Sequence, residues 1–374
     1  MKKLVILGST GSIGQQTLDI VRAFPQEFQV IGLAAGYNVE LLSSQIEEFK
    51  PRFASCADPI MYSRLPTQIP SIPMEEMVYQ DDVDLVMAAT IGKVGLLPIL
   101  RALEAHKAVA LANKEAIVMA GDLMTKTSRL YETPILPVDS EPSAIWQCLQ
   151  GEDSEISRLI ITASGGPFRN RPLDQLKNIT PDEALKHPTW EMGKKITIDS
   201  STLMNKAFEV IEGHWLFNVP WDQIEVLIHP QSTIHSMVEF TDGSVKAQLG
   251  PPDMRLPIQY ALFHPNRVCN NTLPRFDTST QTSLTFQPLD DARYPCFELA
   301  LETARRGGTF PAVLCAADEI AVDLFLKEHI RFLDIYKIIE KVIQDHTSTS
   351  DGTIENILLA DEWARCRARE VAKG

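Results

Sequence analysis

The chain begins with "KLVILGSTGSIG" from Lys3, an apolar run closed by glycines at 8, 11 and 14. No other stretch restricts the fold as much. Leu4 to Leu7 offer no polar face, so a strand there must be covered on both sides, as in parallel sheets flanked by helices. A helix-like segment follows (Gln15 to Phe24), then a second strand-like one, "FQVIGLAAG" (28–36). Further on, "VDLVMAAT" (83–90), "AVALANKE" (108–115) and "PILPVDSE" (134–141) read as strands, and "VGLLPILRALEAH" (94–106) as a helix. This alternation predicts an α/β chain with a doubly wound, Rossmann-like N-terminal domain.

The glycines form the pattern GxxGxxG between the first strand and the first helix. Glycine permits a tight turn and lets the backbone approach a pyrophosphate, which then sits on the helix N-terminus. A plain tight turn would share the glycines, so the strand–turn–helix context carries the reading. Dinucleotide binders that take NAD place an acid at the end of the second strand. Here that strand ends "LAAGYN", with no acid before Glu40. Nothing at that point repels a 2′-phosphate, which favours NADPH, although no arginine marks the phosphate site.

With 374 residues, 44% of them hydrophobic, the chain can build more than one core. A net charge of -14 argues against a nucleic-acid surface and leaves room for a few local cations around a small anion. No apolar run reaches about 18 residues, so no membrane span is expected. The N-terminus enters a strand rather than a secretory signal. The six cysteines are scattered without a CxxC pair; reduced thiols in the cytoplasm account for them. Residues 156–250 carry more strand-like text, including "IHSMVEF-TDG-SVKAQL", whose Asp-Gly marks a hairpin. The polar stretch 266–290 is the linker candidate, and helical spacing takes over after about residue 290. The expected partition is a nucleotide domain at 1–138, a central α+β domain at 139–270, a linker at 271–290 and a helical domain at 291–374.

"PVDSEPSAIW" (137–146) sets two acids around a serine before a proline. If its approach is a strand, Asp139 and Glu141 share a face and Ser140 points away. Two like charges on one face call for a cation between them. In "STLMNKAFEVIEGHWLF" (201–217), helical spacing puts Met204, Phe208, Ile211 and Trp215 on a packing face. Asn205, Glu209 and Glu212 form a second stripe, with Lys206 beside it. A solvated face with a Lys–Glu pair would look alike. The neighbouring "ITIDSS" and "TASGGPF", rich in hydroxyls and glycines, suit a phosphate or polyol instead. Asp139, Glu141 and Glu209 would together offer an all-oxygen site for Mg²⁺ or Mn²⁺, and no Cys/His spacing competes for zinc.

Long segments resemble the 1-deoxy-D-xylulose 5-phosphate reductoisomerase family over nearly the whole chain. They are "GSTGSIGQQTLDI", "LANKEAIVMAG", "VDSEPSAIWQ", "TASGGPF", "HPTWEMGKKITIDSSTLMNKAFEVIE", "HPQSTIHSMVEF" and "FELALETARRGGTFPAVLCAADEIAV". The resemblance implies conversion of that pentulose phosphate to 2-C-methyl-D-erythritol 4-phosphate for isoprenoid synthesis. It implies NADPH and a divalent metal (Mg²⁺ or Mn²⁺, with Co²⁺ a further candidate), no membrane or nucleic-acid partner, and a homodimer formed through the central sheet. By motif, Asp139, Glu141 and Glu209 become the metal ligands. Thr10, Gly11, Ser12, Ile13, Gly36, Tyr37, Asn38, Asn113, Glu115 and Gly193 become nucleotide contacts. Lys114, Ser140, Glu141, Ser164, His187, Ser200, Asn205, Lys206 and Glu209 become substrate contacts, with Lys114 also catalytic. Trp190 in the loop "HPTWEMG" (187–193) becomes a lid that excludes water. Two departures stand out: Tyr37 where the family is usually basic, and Pro142–Ser143 where it usually has His-Asn.

Other classes fit less of the sequence. A simple NADP-dependent dehydrogenase needs no three converging acids. A metal-dependent aldolase-type lyase needs no glycine loop. A regulatory dinucleotide-binding module leaves both the acids and the lid unexplained. The other histidines read as structural or surface residues, His229 being the one to check.

Overall fold

The structure, a computed structural model, describes residues 1–57, 69–279, 283–348 and 352–373. It divides into two compact units. One comprises Met1–Ala116, Met124–Ser143 and Asp253–Pro274; the other comprises Ile117–Leu123, Ala144–Pro252 and Arg275–Gly374.

The first unit is built on six parallel strands: β1 (Lys2–Leu7), β2 (Phe28–Ala35), β3 (Phe53–Cys56), β4 (Leu85–Ala88), β5 (Ala108–Leu111) and β6 (Ile135–Pro137). Their order is β3-β2-β1-β4-β5-β6, the Rossmann order, with its switch point between β1 and β4. Leu4, Val5, Ile6 and Leu7 are all 0% exposed, as a strand covered on both faces requires. Each such side chain contributes about 1.5–3 kcal/mol on burial. Residues 253–274 join this unit, although chain order placed them in the central domain and the start of the linker. The reason is local: Phe263, ending the helix Arg255–Phe263, meets the rings of Phe24 and Phe28 edge-on at 4.8 Å each. Lys2 Nζ also donates to the carbonyl of Leu262 at 2.6 Å.

The second unit holds β7 (Ile156–Ala163), β8 (Ile224–Ile228), β9 (Ile234–Phe240), β10 (Val245–Leu249) and β11 (Gln287–Pro288), ordered β10-β9-β7-β8-β11. β9 and β10 form the expected hairpin, closed at Gly243, whose φ is +84°. β11 lies inside the stretch read as a linker, where it pairs antiparallel with β8. Helices Lys194–Thr202, Met204–Phe217, Pro295–Arg306, Phe310–Leu326, Asp334–Asp345 and Ile354–Val371 complete the unit. Among the described residues no helix is long and apolar enough to cross a membrane. No disulfide joins any of the six cysteines, all of which lie among the described residues.

Three local expectations are corrected. The stretch 134–141 is not strand to its end: β6 stops at Pro137 and a helix runs from Ser140 to Leu149. Pro142 is accommodated in the first turn of that helix, where its missing N–H costs nothing. Ser143 N–H already donates to the Asp139 carbonyl at 2.9 Å there. Likewise 108–115 is strand only to Leu111; Asn113 caps a helix that begins at Lys114. The helix expected over 201–217 is split at Leu203, whose φ of +56° ends one helix and starts the next.

Candidate active site

At the end of β1, Gly8 takes φ +88°, and a Cβ on it would lie 2.3 Å from the carbonyl oxygen of Ala89. Only glycine fits. Gly11 then N-caps the helix Ser12–Ala23 without any side-chain capping bond, and no acid occupies the first turn. An uncapped, acid-free helix start at the switch point is suited to a phosphate. At the end of β2 the structure leaves open space around Gly36, and Tyr37 is 76% exposed. Asn38 differs: its side chain caps the helix Val39–Phe49, accepting from Leu41 N–H at 3.1 Å.

Asn113 is fully buried and spent within the protein. Its two amide hydrogens go to Thr90 Oγ1 (2.9 Å) and the Gly92 carbonyl (3.0 Å), and its oxygen accepts from Ala116 N–H (2.8 Å). Gly95 makes that network possible, since a Cβ there would lie 2.4 Å from Asn113 Nδ2. Thr90, Gly92 and Gly95 were not singled out from the sequence; their only signal is a glycine-rich turn between a strand and a helix.

Lys114, first residue of its helix, faces the helix dipole unfavourably, yet its ammonium lies 2.8 Å from Asp139 Oδ2. Both side chains are largely buried, at 9% and 15% exposure. A lysine thus stands against one member of the acid pair. Asp139 Oδ1 accepts from Ser140 N–H at 3.1 Å, and Ser140 Oγ donates to Glu141 Oε2 at 2.5 Å. Asp139 and Glu141 thus sit across the start of a helix rather than along one strand face.

In the second unit Glu209 is 1% exposed and Lys206 5%, and the two form an ion pair one turn apart. Asn205 Nδ2 donates to Glu209 Oε1 at 2.5 Å. The stripe read from spacing exists, but it is buried, and Glu212 beside it is only 2% exposed. Ser164, His187 and Ser200 come together here as well. His187 Nε2 lies 3.1 Å from Ser164 Oγ and 3.1 Å from Ser200 Oγ. Its Nδ1 accepts from the backbone N–H groups of Thr189 (3.2 Å) and Trp190 (2.9 Å). Two donors on Nδ1 assign the proton to Nε2. The imidazole then donates to the serines, leaving their own hydroxyl hydrogens for an anionic guest. Trp190 is half-buried, its ring 5.9 Å from that of His235, and Thr189 Oγ1 donates to Ser232 Oγ at 3.2 Å. His229 is a structural residue: Nδ1 meets the Thr285 carbonyl at 2.9 Å and Nε2 accepts from Ile234 N–H at 3.2 Å.

Comparison with known proteins decides the family. Family models described as 1-deoxy-D-xylulose 5-phosphate reductoisomerase match residues 4–121 and, for its C-terminal domain, 135–217; one described as DXP reductoisomerase C-terminal domain matches 249–367. The 1-deoxy-D-xylulose 5-phosphate reductoisomerase of Chlorobaculum tepidum is 49% identical over 381 residues, covering 99% of this chain and 100% of its own. The chain belongs to the 1-deoxy-D-xylulose 5-phosphate reductoisomerase family. Among solved structures, that of the Zymomonas mobilis reductoisomerase in complex with NADPH is 41% identical, with a TM-score of 0.92, over 100% of this chain and 99% of the other. A reductoisomerase in complex with NADPH, fosmidomycin and magnesium is 38% identical, with a TM-score of 0.94, over 100% and 98%. The resemblance read from the sequence and the Rossmann-type fold are both borne out. What the sequence did not single out in this chain is a largely buried charge cluster formed by Lys195, Asp199 and Asp318 on and against the helix that carries Ser200.

Proposed function

We propose that the chain converts 1-deoxy-D-xylulose 5-phosphate to 2-C-methyl-D-erythritol 4-phosphate with NADPH and a divalent cation, in the cytoplasm and as a homodimer. The observation that carries this reading is full-length membership of a family whose solved relatives hold NADPH and magnesium, with the three acids Asp139, Glu141 and Glu209 present in this chain. The functional partition remains 1–138 for NADPH, 139–270 for metal and substrate with the lid at 187–193, a linker at 271–290 and a helical region at 291–374.

The residues suit both groups. Asp139, Glu141 and Glu209 each offer a carboxylate oxygen, two half-buried and one buried, which is hard-cation chemistry suited to Mg²⁺ or Mn²⁺. The uncapped helix start at Thr10, Gly11, Ser12 and Ile13 suits a pyrophosphate. Gly36 and Tyr37 flank space for the adenosine end, and Asn38, Asn113, Glu115 and Gly193 are the remaining proposed contacts. When bound, the cation supplies Lewis-acid polarisation of the substrate's carbonyl, and NADPH supplies the hydride. The chain's own groups do the rest. Lys114 stabilises negative charge on a substrate oxygen. Ser164, Ser200 and Lys206 hold the phosphate, with His187 orienting the two serines and Asn205 orienting Glu209. Fixing the far end of the substrate aligns its reacting carbons. Trp190 closes over them and keeps water out.

The test is incubation of the protein with the pentulose phosphate, NADPH and Mg²⁺, each omitted in turn. Product and NADPH oxidation should appear only with all three. NADPH oxidation without metal would point to a plain dehydrogenase, and sugar cleavage without NADPH to a lyase.

A further inference from the structure

The helix Lys194–Thr202 has little reason to form on its own. Seven of its nine residues (Ile196, Thr197, Ile198, Asp199, Ser200, Ser201, Thr202) are β-branched or compete with the backbone for hydrogen bonds. It falls short of the roughly 12–15 residues that even good isolated helices need. Lysines rather than acids occupy its first turn, against the helix dipole. Ser201 Oγ bonds back to the Ile198 carbonyl at 2.6 Å, a further local competitor. Yet six of its residues are buried. Tertiary contacts must hold it.

The structure shows which. Lys195 Nζ lies 2.6 Å from Asp199 Oδ2 on its own helix and 2.8 Å from Asp318 Oδ2 on the helix Phe310–Leu326. Side-chain exposures are 19% for the lysine, 3% for Asp199 and 0% for Asp318. The same ammonium stands 5.1 Å from the ring centre of Phe208, on the helix that carries Glu209. On the helix Pro295–Arg306, burial and then Asp318 and Asp199 push the Cys296 thiol upward. One lysine thus ties the helix 194–202 to two others, and the acids it pairs with lie near enough to a third to act on its cysteine.

That helix is also the floor of the phosphate end. Ser200 is on it, 3.1 Å from His187 Nε2. A Cβ on Gly166 would lie 2.7 Å from the Ser200 carbonyl oxygen, so the loop after Ser164 rests directly on its backbone. Gly193, the last lid residue, caps it, with Thr197 Oγ1 donating to the Gly193 carbonyl at 2.8 Å. Two acids sharing one ammonium out of water gain little net stability, because desolvation opposes their attraction. What such a cluster does supply is one fixed geometry.

We infer that Lys195 and Asp318 are positioning residues for the substrate phosphate, acting through Ser200 and His187. The inference rests on the proposed function and adds the device that sets its phosphate subsite. Neither residue is among the proposed substrate contacts.

The test compares Asp318→Asn, Lys195→Met and Lys195→Arg at a temperature where circular dichroism shows all of them folded. Asp318→Asn and Lys195→Met should raise KM for the pentulose phosphate by about tenfold or more, because ångström-scale misplacement is felt strongly in an aligned site. NADPH affinity should stay within about threefold, since all of its proposed contacts except Gly193 lie on other elements. Lys195→Arg, whose guanidinium can bridge both carboxylates, should restore KM to within about threefold. Amide hydrogens of 196–203 should exchange at least about tenfold faster in Asp318→Asn, while those of β7 and β9 keep their protection. If Lys195→Met does not fold, Asp318→Asn decides, its amide matching the carboxyl in shape. A folded Asp318→Asn with wild-type KM and unchanged exchange at 196–203 overturns the inference, whatever its melting temperature. If the wild-type protein does not turn over the sugar phosphate, the functional proposal falls, and the exchange measurement still decides whether the cluster holds this helix.

Discussion

Asp139 and Glu141 stand half-buried at the start of the helix Ser140–Leu149, whereas Glu209 is 1% exposed inside its helix. The first pair has water, Ser140 and Lys114 to share its charge. Glu209 has Lys206 and Asn205 and almost no water. Three acids with one proposed role therefore differ in what the fold pays for them. Removing Glu141 opens a half-solvated position. Removing Glu209 leaves a buried ammonium without its counter-charge.

The sharpest test of that contrast pairs Glu209→Gln with Glu141→Gln. Both should lose catalysis by at least about 10²-fold at ordinary Mg²⁺, since each removes charge where the reaction needs it. Both should also show a smaller metal-induced rise in Tm. Stability separates them. Glu209→Gln should cost about 3 kcal/mol, in the range for breaking a buried ion pair. Glu141→Gln should cost less than about 1 kcal/mol. Equal urea midpoints for the two variants would break the comparison. NADPH binding should persist in both.

Trp190→Ala sharpens it from the substrate side. The indole is half-buried against His235, in a loop with no regular structure. Turnover should fall by about tenfold, roughly 1.4 kcal/mol of barrier, with fold and nucleotide binding intact. A marked drop in denaturant midpoint would make Trp190 a core residue instead.

In the first unit the sequence signal for NADPH over NADH is an absence, whereas the glycine loop marks either dinucleotide. The acid-free end of β2 predicts that kcat/KM with NADPH exceeds that with NADH by at least about tenfold, roughly 1.4 kcal/mol. The exposed Tyr37 brings no cation to a 2′-phosphate. Equal values for the two cofactors would sink the claim and move the specificity away from β2.

How much of this was legible follows from where the physics is local. The parallel sheet was readable because "KLVILG" has no polar face and a glycine triplet has few uses after a strand. The Asn205–Glu209–Glu212 stripe was readable because helical spacing survives in any environment. Its burial was not, since the residues that cover Glu209 come from elsewhere in the chain. The helix start at Ser140 was missed because "PILPV" reads as a strand, and only the bond from Ser143 N–H to the Asp139 carbonyl shows where it ends. Helix 194–202 lies furthest from local reading. Its sequence argues against a helix, and its support is an aspartate more than a hundred positions away, at 318.

The smallest expected effect compares the units through their histidines. His214 and His346 belong to the second unit and His264 to the first. Burial holds all three below the ordinary histidine value, opposed at His214 by its bond to the Val219 carbonyl and reinforced at His264 by Lys2 and at His346 by Arg306. A base whose folded pKa is depressed binds fewer protons folded than unfolded. Stability therefore rises with pH across that interval. The contribution is fully present above the unfolded value of about 6.5 and is lost as pH falls through it toward the lower folded values. Carboxylates held low by ion pairs, such as Asp345 beside Lys341 and Arg367, act in the same direction only at more acidic pH. Urea midpoints measured between about pH 7.5 and 5.5 should thus decline with falling pH, in the range where histidines titrate. His346→Gln, which keeps a polar group near Thr309 Oγ1, should flatten that decline. With two of the three histidines, the second unit should supply the larger part, so His214→Gln should flatten the slope further when combined with His346→Gln. A slope untouched by both changes would place the pH sensitivity outside these histidines.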